Sequence, residues 1–509
     1  MHWSCTHTKY TTMQVILFTD VADTLGYGKY AGTYKVATEV RKAGYTCQVV
    51  DLFSKYSYQE LENIISKFCT KETILIGFSC TLMEKRVGLH GSKNTMVYNF
   101  GRPEHEVDSL MQYAKSLNSN IKTVAGGARV SLDVHWNFID YIVINKGDIA
   151  IIKLVEHLLY GHNLPLLRSK PCKVIDGSSS DYFYSQEEFA SSKIIYQPQD
   201  IILPGECLPI EVARGCIFSC AYCRFDLIGK RIGDWQKTEQ SLRDELLRNY
   251  DLYGTTHYMV SDELINESLP KMELIHKVFT TLPFKISYTS YARLDLIKAY
   301  PQMREMLLES GAVSLAFGIE TLNDVAGKKI GKGLGSQRVK ETLSYCSELW
   351  KDKIVISSQF IVGLPGESEA SMRQTVDYLV SDECPLDIFG FLPLYIRASD
   401  DGRNSSKMDR DPKKYGYALQ EDKPWESENM DFHKACELVS EFYADSRVRK
   451  KIKFSAATWM GRLLNLDYKI EDIFNMINDT TLSDKNVSSI INTKANIKKQ
   501  LYYEQLMKV

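Results

Sequence analysis

The chain has 509 residues, 44% hydrophobic and 25% charged, and its 62 basic side chains against 64 acidic ones leave a formal charge of −2. That length calls for roughly two to four domains, and the composition is that of a globular protein rather than a disordered one. Near-neutrality provides no whole-protein field for nucleic acid, and no stretch reaches the ~18–20 apolar residues of a membrane span. The first residues lack the basic-then-apolar order of a signal peptide, so a cytoplasmic location is the expectation.

Residues 13–160 alternate strand and helix signals. Met13–Thr19 is an apolar run of strand length followed by a Gly-bearing loop, and Tyr34, Ala37 and Val40 then recur at helical spacing until Gly44. Cys47–Phe53, Thr73–Phe78, Lys122–Ala125 and Tyr141–Ile144 add four short apolar strands. Such alternation predicts an α/β domain with a flavodoxin- or Rossmann-like parallel sheet. A polar stretch from Glu84 to His105 interrupts it as an inserted loop. Residues 161–206, with Pro165, Pro171, Pro198 and Pro204, lose the rhythm and read as a linker.

From 207 to 400 the alternation resumes. Strands are predicted at Ile210–Ala213, His257–Ser261, Lys285–Ser290, Val313–Gly318, Val355–Val362 and Asp387–Leu392, with helices such as Gln240–Leu252 and Ser336–Trp350 between them. Six strand–helix units predict a partial (β/α)6 barrel whose ligands sit at the C-terminal strand ends. Residues 401–509 are expected to be mainly helical.

The twelve cysteines are mostly scattered in apolar runs, which suits reduced core residues such as Cys80, Cys346 and Cys384. One group departs from this scatter. Cys216, Cys220 and Cys223 form Cys-x3-Cys-x2-Cys on the loop after the first barrel strand. Three thiolates within eight residues can serve one metal centre. Zinc and iron–sulfur sites usually close with four protein ligands, whereas three cysteines on a cubane leave one iron open to chelate a substrate. The alternative is a zinc or iron–sulfur centre of structural or redox role, completed by a remote ligand such as His257.

This motif, with Tyr222 as the aromatic before the third cysteine, resembles the signature of the radical S-adenosylmethionine (SAM) superfamily. The resemblance implies a [4Fe–4S] cluster on Cys216, Cys220 and Cys223, with SAM on the open iron. Reductive cleavage of SAM would then give a 5′-deoxyadenosyl radical that abstracts hydrogen from a substrate, and Tyr222 would lie beside the adenine. Further segments follow in the family's order. Val260-Ser261-Asp262-Glu263 stands where the family binds the SAM amino group, which makes Asp262 or Glu263 the candidate. Tyr291-Ala292-Arg293-Leu294-Asp295 is similar to the Ala-Arg-x-Asp of cobalamin-type members, with Arg293 for the SAM carboxylate. Phe317-Gly318-Ile319-Glu320-Thr321 resembles the fourth-strand segment, Gly318 and Glu320 meeting SAM polar groups. The run Phe360 to Glu367 resembles the fifth-strand motif, where the backbone at Gly363 flanks the adenine.

Residues 13–160 resemble the cobalamin-binding-like domain that precedes the barrel in one class of the superfamily. Ser79, Gly126 and Gly127, at strand ends, are the candidate cobalamin residues. The chain has no Asp-x-His-x-x-Gly, since Asp133-Val134-His135-Trp136 lacks the glycine, and Lys146-Gly147-Asp148 departs from the class pattern. With cobalamin bound, methyl transfer to carbon is the leading reaction. Without it, rearrangement, oxidation or sulfur insertion stays open. The resemblance further implies an electron donor such as flavodoxin or ferredoxin, and a small-molecule or peptide substrate. No membrane or nucleic-acid partner is indicated.

Overall fold

In the computed structural model the apolar runs become two six-stranded sheets, each wholly parallel. The structure describes residues 12–20, 28–79, 84–87, 96–99, 102–127, 130, 136–225, 227–396, 405–420, 424–452, 454–479, 481–482 and 484–509. The first sheet holds β1 (Val15–Phe18), β2 (Cys47–Val50), β3 (Leu75–Ser79), β6 (Lys122–Gly126), β7 (Tyr141–Ile144) and β8 (Lys173–Asp176), and the stretch after β3 contributes a hairpin of β4 (Glu84–Val87) and β5 (Met96–Asn99). The spatial order β2-β1-β3-β6-β7-β8 reverses direction at β1 and β3, which opens a crevice over the C-terminal strand ends there. The flavodoxin-like expectation holds.

Two boundaries differ from the sequence reading. The segment 161–206 is not wholly a linker, because β8 pairs along β7 from Tyr141 to Ile144. The stretch Glu84–His105 is not all loop either, since it includes the antiparallel pair β4–β5 and the start of the helix Glu104–Leu117. Cys80 and His135 lie outside the described residues, whereas Cys346 and Cys384 are buried.

The period-two alternation of the strands divides the core. Val15, Leu17, Leu75, Val124 and Val143 face the helices Ala31–Lys42 and Ala150–Tyr160 in a core continuous with the barrel's. Ile16, Phe18, Val50, Ile76 and Ile142 face the other way and share a core with the C-terminal helices. Gly44 takes φ +92° just past the first helix, the left-handed stop that its sequence position predicts.

The second sheet runs in sequence order: β9 (Leu208–Ile210), β10 (His257–Val260), β11 (Ser287–Ala292), β12 (Ala312–Glu320), β13 (Val355–Val362) and β14 (Ile388–Pro393). Its six strands are those expected, within a few residues.

The C-terminal region divides its contacts between two ends of the barrel. The helix Phe432–Ala444 packs on the last strands, with Phe442 and Phe391 ring centroids 5.1 Å apart and Tyr443 Oη accepting from Phe391 N at 2.9 Å. Residues 454–465 sit under the N-terminal strand ends. There Ser314 Oγ donates to Thr458 O at 3.0 Å, and Cys207 N donates to Asn465 Oδ1 at 2.7 Å. The helix Asp484–Leu506 returns to the first domain, where Tyr502 Oη and Lys29 Nζ both donate to Asp51 Oδ2 at 2.9 Å. Both charged side chains of that group are almost wholly buried. Among the described residues, no helix is long and apolar enough to cross a membrane.

Candidate cluster and cofactor site

The loop from Glu211 to Leu227 is held from every side, which fixes where its thiols stand. Gly215 has φ +75°, and a Cβ there would lie 2.5 Å from Leu227 Cβ and Leu227 O, so only glycine fits. Cys216 N donates to Leu227 O at 3.2 Å, and Gly229 N donates to Cys216 O at 2.8 Å. From the far side of the barrel Ala221 N donates to Ile330 O at 2.9 Å, and from the C-terminal region Met408 N donates to Ala221 O at 3.0 Å. Arg224, next to the third cysteine, forms a two-pronged pair with the buried Asp409 at 2.6 and 2.7 Å.

The donor set suits a cluster better than a single ion. Among the described residues, no three His, Cys, Asp or Glu side chains converge closely enough to hold one metal ion. Thiolates that hold a cubane each bind a different iron, so they need not meet at one point. His257 does not complete a zinc set. It begins β10, whereas the cysteine loop follows the end of β9, whose Ile210 is in register with Val260. Burial raises the Cys216 thiol and pushes Cys223 up to about 11, so each would have to give up a proton to bind a metal.

Two of the expected SAM residues meet directly. Tyr222 Oη donates to Glu320 Oε1 at 2.7 Å, across 98 residues of sequence. Burial, with the Glu320 charge, holds the Tyr222 phenol well above its ordinary value, so it stays a donor. Glu320 has φ +69°, a left-handed conformation that is costly without glycine, at the register shift that ends β12. Gly318 makes room for it. A Cβ there would stand 2.8 Å from Glu320 Oε1 and 3.0 Å from Lys332 Nζ, which itself donates to Gly318 O at 2.7 Å.

Arg293 reaches the cysteine loop. Its Nη1 donates to Cys220 Sγ at 3.4 Å, its guanidinium lies 3.8 Å over the Phe218 ring, and Nε donates to Asp295 Oδ1 at 2.8 Å. Asn266, fully buried, clamps its backbone by accepting from Arg293 N at 2.9 Å and donating to Arg293 O at 3.0 Å. Against the upward push of burial, Arg293 holds the Asp295 carboxyl below the usual range.

The adjacent carboxylates Asp262 and Glu263 part company. Asp262 does not stand ready for a ligand: Oδ1 accepts from Val212 N at 2.7 Å, Oδ2 accepts from Ala213 N at 2.9 Å, and Lys271 Nζ lies 2.6 Å from Oδ2. It anchors the cysteine loop's approach. Replacing it with alanine leaves two N–H groups unpaired and takes from buried Lys271 its nearer carboxylate, with only Glu267 at 3.8 Å and Leu264 O remaining, and is expected to cost about 3 kcal/mol of stability. Urea denaturation of Asp262→Ala beside Asp262→Asn measures this, and a loss under ~1 kcal/mol in the alanine variant would refute the anchoring role. Glu263 lines a cavity instead, where burial, reinforced by charge on Asp262 and Glu211, pushes its carboxyl to about 7.

Gly363 also departs from expectation. It has φ +97°, a Cβ would meet the Trp425 ring at 2.6 Å, and its carbonyl accepts from Tyr417 Oη at 2.7 Å. The C-terminal region takes both its open face and its carbonyl.

The cavity beside Glu263 has a volume of about 360 Å³ and lies where the two sheets meet. Ser79, Gly126 and Gly127, all three cobalamin candidates, line it from the first sheet's C-terminal edge, and Glu211, Arg214 and Gly215 line it from the start of the cysteine loop. Arg214 bridges the walls, donating to both Asp148 oxygens at 3.1 Å and to Glu211 Oε1 at 2.7 Å. Sequence alone places Asp148 in a motif position without indicating this partner 66 residues away. Glu211 carries only a weak signal, a carboxylate directly after a strand.

The family profile of the radical SAM superfamily matches residues 210–379. Bacteriochlorophyllide d C-12(1)-methyltransferase of Chlorobaculum tepidum is 25% identical over 191 residues, covering 37% of this chain and 40% of that protein. The chain thus aligns with about two fifths of the length of the first curated relatives it matches. The structure of the radical SAM methyltransferase TsrM from Kitasatospora setae, with tryptophan and a SAM analogue bound, superposes with TM-score 0.57 at 16% identity, covering 78% of this chain and 75% of that one. OxsB, a cobalamin-dependent SAM radical enzyme solved with aqua-cobalamin and SAM, gives TM-score 0.55 at 14% identity over 96% of this chain and 80% of that one. Residues 210–379 thus form a radical SAM domain, and the chain as a whole shares the two-domain fold of the solved enzymes TsrM and OxsB.

Proposed function

We propose that this chain is a cobalamin-dependent radical SAM enzyme that transfers a methyl group to carbon in an organic substrate. The observation that carries the reading is the cavity between the sheets. One wall is the glycine-lined edge of a flavodoxin-like sheet, and the other is the first turn of the three-cysteine loop. A ligand there sits against both domains at once, and a volume of about 360 Å³ lies within the ~300–1,000 Å³ typical of ligand sites.

When bound, the cluster supplies the electron that cleaves SAM, and cobalamin carries the methyl group. Cys216, Cys220 and Cys223 would hold the cluster and, being three, would leave it open to SAM. Arg293, kept in place by Asn266 and Asp295, offers a cationic fork beside Cys220 for the SAM carboxylate. Glu263 serves the SAM amino group from the cavity wall. Tyr222 and Glu320 act as a hydrogen-bonded pair on the ribose and adenine side. The backbone at Gly126 and Gly127, with Ser79, lets a flat macrocycle approach the sheet edge closely.

The test is anaerobic reconstitution with iron and sulfide, reduction, and EPR with and without SAM, followed by desalting of protein mixed with hydroxocobalamin. A [4Fe–4S]⁺ signal that shifts on adding SAM, together with cobalamin absorbance in the protein fraction, is expected. A cluster indifferent to SAM would overturn the radical SAM reading. A SAM-responsive cluster without retained cobalamin would overturn methyl transfer and leave hydrogen abstraction.

A further inference from the structure

We propose that the exposed face formed by residues 328–332 and 407–414 is the docking surface for an acidic one-electron carrier protein, which reduces the cluster through Cys220. This rests on the cluster reading above.

This face stands close to the cysteine loop. Both segments bond to the same residue of the cysteine loop: Ala221 N donates to Ile330 O at 2.9 Å, and Ala221 O accepts from Met408 N at 3.0 Å. Lys407 Nζ also donates to Ser219 O at 2.7 Å. Gly331 is exposed with φ +85°, and a Cβ there would lie 3.8 Å from Cys220 Cα. The absent side chain leaves a cluster ligand one backbone layer beneath the surface. A carrier seated on this turn comes within one backbone layer of Cys220.

The same face is cationic. Lys328, Lys329, Arg410, Lys413 and Lys414 are all exposed on these segments. The acids among them are few. Asp409 is buried and neutralised by Arg224, which leaves Asp411 as the exposed acid of 407–414. In a chain with 62 basic and 64 acidic residues, this local excess of cations stands over the one loop that needs an electron. Complementary charge mainly accelerates encounter, and electron-transfer contacts are characteristically small and transient. In the reaction one electron passes from the carrier's reduced flavin to the oxidised cluster. The carrier loses that electron, the cluster gains it, and no group is transferred.

The experiment uses the reconstituted full chain and stopped-flow absorbance of the cluster, with fully reduced bacterial flavodoxin as the reductant. In Lys328→Glu/Lys329→Glu/Lys413→Glu/Lys414→Glu the rate of cluster reduction by flavodoxin is expected to fall at least about tenfold at low salt. The parent's rate should itself fall steeply from roughly 50 to 300 mM NaCl, and the variant's should barely respond. Reduced methyl viologen, a small cation that needs no docking face, should reduce both proteins without loss of rate in the variant. If the glutamate variant assembles no cluster, the corresponding glutamine variant carries the test, and its flavodoxin rate should fall in the same direction. Equal flavodoxin rates in parent and variant, with cluster present in both, would overturn the docking surface. A parent that assembles no cluster would overturn the underlying reading instead.

Discussion

Cys220→Ala is expected to abolish assembly of the [4Fe–4S] cluster while leaving the fold intact. Iron after reconstitution should drop from about four per chain to near zero, and the reduced protein should lose its EPR signal. On three thiolates a cubane would already have one iron without a protein ligand, so loss of another would leave it on two. Cys346→Ala is the matched control, because that thiol is on the buried face of the helix Ser336–Trp350, far from the loop in sequence, and packs as a small apolar group. It should assemble cluster like the parent. Assembly should also improve as pH rises toward the Cys223 value of about 11, since thiol protons compete with iron. Full iron content in Cys220→Ala would remove Cys220 from the ligand set.

The second large effect concerns the cavity. Gly126 lines it, and a Cβ at this position would meet Val143 O at 3.4 Å and Val143 Cβ at 3.6 Å, which is ordinary contact. Gly126→Ala should therefore fold and bind hydroxocobalamin nearly as the parent does. Gly126→Leu carries a branched side chain at the cavity wall and is expected to weaken that binding at least about tenfold, or ~1.4 kcal/mol. The cluster signal should not change, because the cysteine loop is on the opposite wall. Equilibrium dialysis with cobalamin absorbance measures the loss. Undiminished binding by Gly126→Leu, in a protein with the parent's melting temperature, would place cobalamin elsewhere or nowhere.

Much of this arrangement is legible in the sequence, because burial on both faces of a parallel sheet writes strands as continuous apolar runs. Val355–Val362 is read to the residue for that reason, as is the helix Ser336–Trp350 from its periodic apolar positions. β8 escapes because its four residues lie between Pro171 and Gly177, and such a short segment has no period to detect. At the site, spacing identifies the three cysteines and the order of the later segments. It cannot decide between Asp262 and Glu263, since neighbouring carboxylates at a strand end diverge and only the fold reveals which one meets Lys271. Nor can it foresee that Trp425 covers Gly363, because that contact joins a barrel turn to a region with no recognisable motif. The pairing of Asp148 with Arg214 is hidden for the same reason. Tertiary partners distant in sequence leave no local mark.

The helix Asp484–Leu506 has a consequence for the order in which the molecule is made. Tyr502 completes a buried polar group with Asp51 at a sequence separation of 451, and Lys499 pairs with Glu60 at 2.8 Å on the same domain. During synthesis from the N-terminus, the first sheet emerges and collapses hundreds of residues before its own covering helix exists. Until then one apolar face, with Ile16, Phe18 and Ile76, lacks part of its cover, and Asp51 lacks one of its donors. The first sheet is thus finished only after the barrel has been made, and its exposed interval in the cell spans translation of the residues between it and this helix.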